Sequence, residues 1–195
     1  MWRHTLVAIR LTLLTTVLFG LIYPLVITGL AQLTFPRQAN GSLVVRDRQV
    51  IGSESVGQQF TRPGYFHPRP STAGSGYDAT ASGGSNLGPT SRKLAERIAA
   101  SVSTLTREDP RIERGKIPAD MVTASASGLD PDISLANAYA QVARVAKARR
   151  MSEDRVRQLV ESSVTGRQFG LLGEPRVNVL RLNLALDAAD ETDRR

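Results

Sequence analysis

The sequence predicts an α+β domain carried on a single N-terminal transmembrane helix. Three observations predict it: an uncharged run near the amino terminus, strand signals at both ends of the remaining chain, and capped amphipathic helices grouped between them.

No charged side chain occurs between Arg10 and Arg37. As a helix, Leu11 to Phe35 would reach about 37 Å at ~1.5 Å per residue, enough to cross the ~30 Å hydrocarbon of a bilayer with some tilt. A cleavable signal peptide is the competing reading, because Gly29-Leu30-Ala31 offers small residues and Arg3 and Arg10 form a basic leader. The run exceeds the ~7–15 apolar residues of a signal peptide, Tyr23 and Pro24 lie inside it, and Leu33 and Phe35 prolong it. A retained anchor is therefore expected. Thr12, Thr16, Gly20, Pro24 and Thr28 recur every fourth residue, a stripe of small or kinking side chains through which the helix is expected to pack on partner helices. The plain alternative is that Thr bonds back to its own helix and Pro24 only kinks it. Arg3 and Arg10 before the helix nearly balance Arg37, Arg46 and Arg48 after it, so charge alone orients the chain weakly, with the head placed outside.

The roughly 160 residues after the anchor are enough for one domain with a core. Residues 1–10 read as a short tail, 11–35 as the helix, 36–187 as the domain and 188–195 as a charged tail. Ser42 to Val45 and Val50-Ile51, separated by Arg46 to Gln49, predict a hairpin. From Gly52 to Thr90 no period persists while Gly, Pro, Ser and Thr accumulate, so an ordered functional loop is expected, anchored by Tyr65, Phe66, Tyr77 and Leu87. Thr90 or Ser91 then caps a helix with the apolar face Leu94, Ile98, Val102 and Leu105, ended by Glu108-Asp109-Pro110. Met121 to Ala124 reads as a weak strand. Ser134 caps a helix burying Leu135, Tyr139, Val142 and Val145. Ser152 caps another, with Glu153 and Asp154 at its positive end and Val156, Leu159, Val160 and Val164 inward. Gly166, Gly170, Gly173 and Pro175 interrupt the chain. Val177 and Val179, then Leu182, Leu184 and Leu186 in the other parity, predict a strand bulged near Leu180, and the chain from Asp187 is expected to fray.

Composition narrows function. The chain carries a formal charge of +7 in 195 residues, yet its only lysines are Lys93, Lys116 and Lys147 and its arginines are dispersed or gathered between Arg144 and Arg157. Aromatics are sparse and no nucleic-acid signature appears, so a solvated helix face or an acidic protein partner is expected and nucleic acid is not. Cysteine is absent, which excludes disulfides, thiolate catalysis and Cys-based metal sites. His4 and His67 are too few and too separated for a histidine metal site. No catalytic constellation is visible, since His67 stands alone among prolines and Asp130 and Asp132 are explained by helix-entry turn chemistry. The run Ser82 to Gly88 precedes a helix, where backbone N–H groups can meet an anion, although turn geometry explains it first. Gly115-Lys116 lacks the spacing of a phosphate-binding Walker loop.

Several stretches taken together resemble one family: Gln38-Ala39-Asn40-Gly41-Ser42-Leu43, Gly64-Tyr65-Phe66-His67 with Arg69-Pro70-Ser71, Ala81 to Leu87, Val122 to Asp130, Arg144 to Arg149, and Val177-Asn178-Val179 with Leu182 to Asp187. This pattern is similar to the C subunit of the bacterial Kdp potassium-transporting P-type ATPase, across nearly the whole chain. The resemblance implies a non-catalytic subunit of a complex in the bacterial inner membrane. Its implied partners are a P-type subunit that hydrolyses ATP, a potassium-channel-like subunit, a small fourth subunit and the lipid bilayer. It also implies a catalytic chaperone that raises the ATP affinity of the hydrolysing subunit. In that view Ser82, Gly83, Gly84 and Ser85 are likened to an ABC-transporter signature, with Ala81 where that pattern has leucine, and Gln141 contacts nucleotide. ATP would then reach this chain through the complex, and no metal is expected on the subunit alone. The family's head is periplasmic whereas ATP is cytoplasmic, so the alternative implied role is a periplasmic cap at the potassium entrance with no nucleotide contact.

Overall fold

The computed structural model describes residues 2–193. The chain divides into two compact units, Met1–Val50 and Ile51–Arg195.

The first unit is dominated by one helix, Trp2–Thr34, the one described helix long and apolar enough to cross a membrane. It starts earlier than the expected Leu11, and residues 2–10 form its opening turns rather than a separate tail. At ~1.5 Å per residue its 33 residues reach about 50 Å. It is built as α1 (Trp2–Val17), a π-helical turn at Leu18–Ile22 and α2 (Tyr23–Thr34). Pro24 explains the interruption: it has no N–H for the Gly20 carbonyl and its ring crowds the preceding turn, so the helix widens. Tyr23 accordingly donates its N–H to the Leu18 carbonyl, five residues back. Short α3 (Pro36–Ala39) follows, and then strands β1 (Leu43–Arg46) and β2 (Gln49–Ser53) pair in a two-stranded sheet. Asp47 and Arg48 between them have φ of 51° and 64°, the left-handed pair that a two-residue hairpin turn requires.

In the second unit, residues 54–91 hold no regular element beyond a single 3-10 turn at Ala79–Ala81. The stretch is nonetheless packed down, with Phe66 fully buried. Helix α4 (Arg92–Glu108) begins at Ser91, whose hydroxyl accepts from the Leu94 N–H. Residues 119–122 form the short helix α5 (Ala119–Val122), not the expected strand. Asp120 explains the difference by bridging away from its own segment: its carboxylate accepts from Ser134 N and Oγ and from Asn137 Nδ2, at 2.8, 3.0 and 3.0 Å.

Strand β3 (Asp132–Ser134) runs directly into α6 (Leu135–Arg149), capped by Ser134. Helix α7 (Glu153–Ser162), capped by Ser152, is followed by β4 (Val164–Thr165), β5 (Arg176–Asn178) and α8 (Val179–Asp193). The three strands form an antiparallel sheet in the order β3-β5-β4, with Val177 opposite both Ile133 and Val164. The strand expected to continue through Leu186 ends at Asn178, whose Oδ1 accepts the Arg181 N–H and so opens a helix. Val179, Leu182, Leu186 and Ala189 are buried at helical spacing, and the apparent change of strand parity is the 3-4 rhythm of one helix face. Nor does the chain fray at Asp187, because α8 continues to Asp193; residues 194 and 195 of the expected tail lie outside the described residues. The core gathers Val142 and Val145 of α6, Val156 and Val160 of α7, Leu182 and Leu186 of α8, Ile133 and Val177 of the sheet, and Phe66 of the loop.

Candidate functional site

The long loop supplies the most specifically held backbone in the head. It crosses α6 and α8 as a strap at Gly64 to Pro68, entered by a turn in which the Tyr65 N–H donates to the Arg62 carbonyl, and two buried amides grip it. Asn183 Oδ1 accepts the Phe66 N–H at 2.8 Å while its Nδ2 donates to the Phe66 carbonyl at 3.0 Å. Gln141 does the same one residue on: Oε1 accepts the His67 N–H at 2.7 Å and Nε2 donates to the His67 carbonyl at 3.0 Å. Each side chain stands in for one residue of a neighbouring strand, satisfying a donor and an acceptor that would otherwise be buried unpaired.

Gln141 is 3 % exposed. Its remaining capacity is also used, since Oε1 accepts from Arg144 at 2.6 Å and Nε2 donates to Asn137 Oδ1 at 2.7 Å. Arg144 then reaches the carbonyls of Pro63 and Tyr65 at 2.6 and 3.1 Å. Burial pushes this guanidinium down from its usual range, opposed by the nearby charges of Glu108 and Asp109. On the other flank, Arg149 donates to the Gly64 carbonyl, pairs with Asp187 at 2.8 Å and Asp190 at 2.5 Å, and lies 4.6 Å from the centre of the Tyr65 ring. Its side chain is 8 % exposed. Gly64 suits this crowding, because a Cβ there would stand 3.4 Å from Arg149 Cγ.

His67 Nε2 lies 3.1 Å from the Arg62 carbonyl, which can only accept, so that nitrogen carries the hydrogen. Burial, with the Arg144 charge second, lowers its pKa below the ordinary value of 6.5, against the opposite pull of the Arg62 bond and Glu108. Beside it, His67, Leu105, Asp109, Met121, Asn137, Gln141 and Arg144 line a cavity of about 40 Å³. That is room for a few waters, at ~10–15 Å³ each, and far too little for a nucleotide.

The glycine-rich run is held elsewhere. Ser82 Oγ and Gly83 N both donate to the Ser127 carbonyl, at 3.0 and 2.9 Å, and Thr72 Oγ1 donates to the Gly83 carbonyl at 2.9 Å. Gly84 passes so close to Ala126 that a Cβ would sit 2.8 Å from its carbonyl oxygen, whereas Gly83 faces open space. Gly128, at φ +68°, has Ala73 N and the Gly83 carbonyl 2.7 Å from its would-be Cβ. Two loop segments are thus laced together by short hydroxyls and backbone groups, with no room for a side chain at Gly84 or Gly128. Ser82 to Ser85 and Gln141 share no cavity and no hydrogen-bond partner among the described residues. No cluster of three or more metal-ligating side chains is present among them either.

The chain matches the sequence model of "KdpC: K+-transporting ATPase, c chain" over residues 5–188. It belongs to the KdpC family. Proteins named "Potassium-transporting ATPase KdpC subunit" are similar along nearly their whole length. The one from Myxococcus xanthus is 59 % identical over 188 residues, covering 96 % of this chain and 89 % of the relative. That of Gemmatimonas aurantiaca is 58 % identical over 193 residues, 98 % and 96 % of the two chains. That of Mycobacterium tuberculosis H37Ra is 54 % identical over 187 residues, 96 % and 99 %. The KdpC assignment bears out the resemblance read from the strap, the glycine-rich run and the carboxyl-terminal Leu-Asn-Leu stretch, and with it an accessory place in a K+-transporting ATPase. The strap clamp itself was not foreseen. Asn137, Gln141 and Asn183 are polar residues on otherwise apolar helix faces, and that interruption was the one signal available.

Proposed function

We propose that this chain is a non-catalytic accessory subunit of a potassium-transporting complex, anchored through helix Trp2–Thr34 and bearing its head on the outer face as a cap at the potassium entrance. The observation that carries this reading is the full commitment of Gln141: two hydrogen bonds hold the strap at His67, two more engage Asn137 and Arg144, and none of its polar capacity is left over for a ligand. A chaperone role that raised ATP affinity through Gln141 would have to break that clamp. The expected partners are the hydrolysing, channel-like and small subunits of the same complex, with the anchor docking through Thr12, Thr16, Gly20, Pro24 and Thr28. In support of that docking, the stripe threonines make no side-chain hydrogen bond among the described residues, whereas Thr15 and Thr34 bond back to Leu11 and Leu30. Hydroxyls without an internal partner can bond across a helix interface in lipid.

Orientation is the first test. Because cysteine is absent, Glu161→Cys on the exposed face of α7 gives one label site. Reaction with a membrane-impermeant thiol reagent in intact cells is the expected result. Labelling only after lysis would put the head beside the ATP-hydrolysing domains and overturn the cap. Competition by cold ATP against a photoreactive analogue bound to this chain would reinstate the nucleotide reading.

A further inference from the structure

Between β4 and β5 the chain makes a projection with an unusual surface. Phe169 is 93 % exposed, Leu171 80 % and Leu172 59 %. Among the described residues of the unit 51–195, the only other exposed large apolar side chain is Ile51, at 38 %. The head therefore concentrates its exposed apolar surface within four consecutive residues, where solitary exposed residues would be ordinary.

The projection is also built to hold a shape. Gln168 and Leu172 exchange backbone hydrogen bonds, each 2.9 Å, and Leu171 N and Gly170 N turn back to the carbonyls of Gln168 and Arg167. Below the tip, Arg167 pairs with Glu174 at 2.7 Å. Gly170 and Gly173 adopt φ of 74° and 75°, and Phe169 itself stands at φ 54°. For a bulky residue that conformation is unfavourable. A left-handed phenylalanine, aimed at solvent on a braced tip, is a costly arrangement unless something receives it.

We infer that the Phe169-Leu171-Leu172 tip is a docking knob that inserts into an apolar pocket of another protein subunit of the transport complex. This rests on the accessory-subunit reading above and adds the surface by which the head, as distinct from the anchor, would be held. Two observations favour a protein over the bilayer surface. A lipid phase asks only for apolar area and would not require a fixed backbone shape. Membrane-surface segments also pair their apolar face with free cations for the headgroups, whereas the arginines at this stem are engaged, Arg167 with Glu174 and Arg176 with Asp132 at 2.8 Å. A fixed shape with a neutralised stem suits a preformed pocket, where rigid aromatic and aliphatic anchors contribute most of the binding.

The test places a photoreactive benzophenone amino acid at position 169 of the full-length chain, co-expressed with the other subunits and irradiated in membranes, with the same probe at Glu161 as the control site. The expected result is one adduct between this chain and a single larger subunit from position 169, none from 161, and its loss when Leu171→Ser and Leu172→Ser are added. The doubly substituted chain should keep the parent's melting temperature, since both side chains are exposed. Adducts with lipid, with a second copy of the chain, or no adduct while the complex still co-purifies would overturn the knob and leave the accessory reading intact. Failure of the unsubstituted chain to co-purify with any subunit would overturn both.

Discussion

Replacing Gln141 by alanine separates a structural amide from a ligand-binding one. The substitution deletes four hydrogen bonds: two to the backbone of His67, one to Asn137 and one from Arg144. Arg144 keeps its two strap carbonyls, so that loss is cheap. The Asn137 Oδ1, on a residue 1 % exposed, and the N–H and carbonyl of half-buried His67 are left without their partners. At ~1–2 kcal/mol for each buried group left unpaired, the cost is about 3 kcal/mol. With a head of this size shifting ~3 °C per kcal/mol, the melting temperature should fall by roughly 10 °C. Circular dichroism of the detergent-solubilised protein measures that fall. Hydrogen exchange read at His67 localises it, since this amide should lose protection before the amides of α7. A Gln141→Ala chain that melts within about 1 °C of the parent, with His67 still protected, would refute the clamp. The further combination of an unchanged melt with weakened ATP dependence of the complex would make Gln141 a ligand contact.

The geometry sets four further outcomes. Because burial lowers the His67 pKa, the unfolded chain takes up a proton below about pH 6.5 that the folded chain resists; stability should be full above that pH and decline beneath it, and His67→Gln should flatten the decline in melts recorded between pH 7.5 and 5. Arg149→Ala strands Asp187 and Asp190 without their cation and should cost about 3 kcal/mol in thermal unfolding, with Arg149→Lys recovering only part of it. Gly84→Ala drives a methyl to 2.8 Å from the Ala126 carbonyl and should lower the melting temperature by several degrees, whereas Gly83→Ala meets nothing within 4 Å and should leave it unchanged; equal sensitivity at both would argue for a bound anion instead of packing. Gly20→Leu fills the small-residue stripe of the anchor and should release the chain from the complex in mild detergent, so undiminished co-purification would remove the stripe from the interface.

What could be read from the sequence was local chemistry. Ser91, Ser134 and Ser152 cap the helices assigned to them because an N-cap hydroxyl bonds within three residues of itself. The anchor was legible from its missing charges, and the hairpin from two short apolar runs. Leu182, Leu184 and Leu186 were misread because three leucines two apart satisfy a strand, while the buried set Val179, Leu182, Leu186 and Ala189 satisfies a helix. The Asn178 cap was the deciding signal and is equally local. The strap was recognisable as ordered, yet its grip was not, since Gln141 and Asn183 bond to residues 74 and 117 positions away. No period encodes such a pairing. The same limit applies to Phe169, whose exposure depends on a fold that the Gly166 to Pro175 breaks mark only as irregular.

The clamp on Phe66 also sets an order of events during synthesis. The anchor and the strap leave the ribosome early, but Asn183, which satisfies both backbone groups of Phe66, is made 117 residues later. Until α8 exists, a fully apolar ring and an unpaired stretch of chain wait in solution beside a membrane. The grip on Phe66 is therefore completed only once α8 has been made. A chain interrupted before Asn183 would carry its anchor, and with it the means to enter a complex, while leaving both backbone groups of Phe66 without the amide that pairs them.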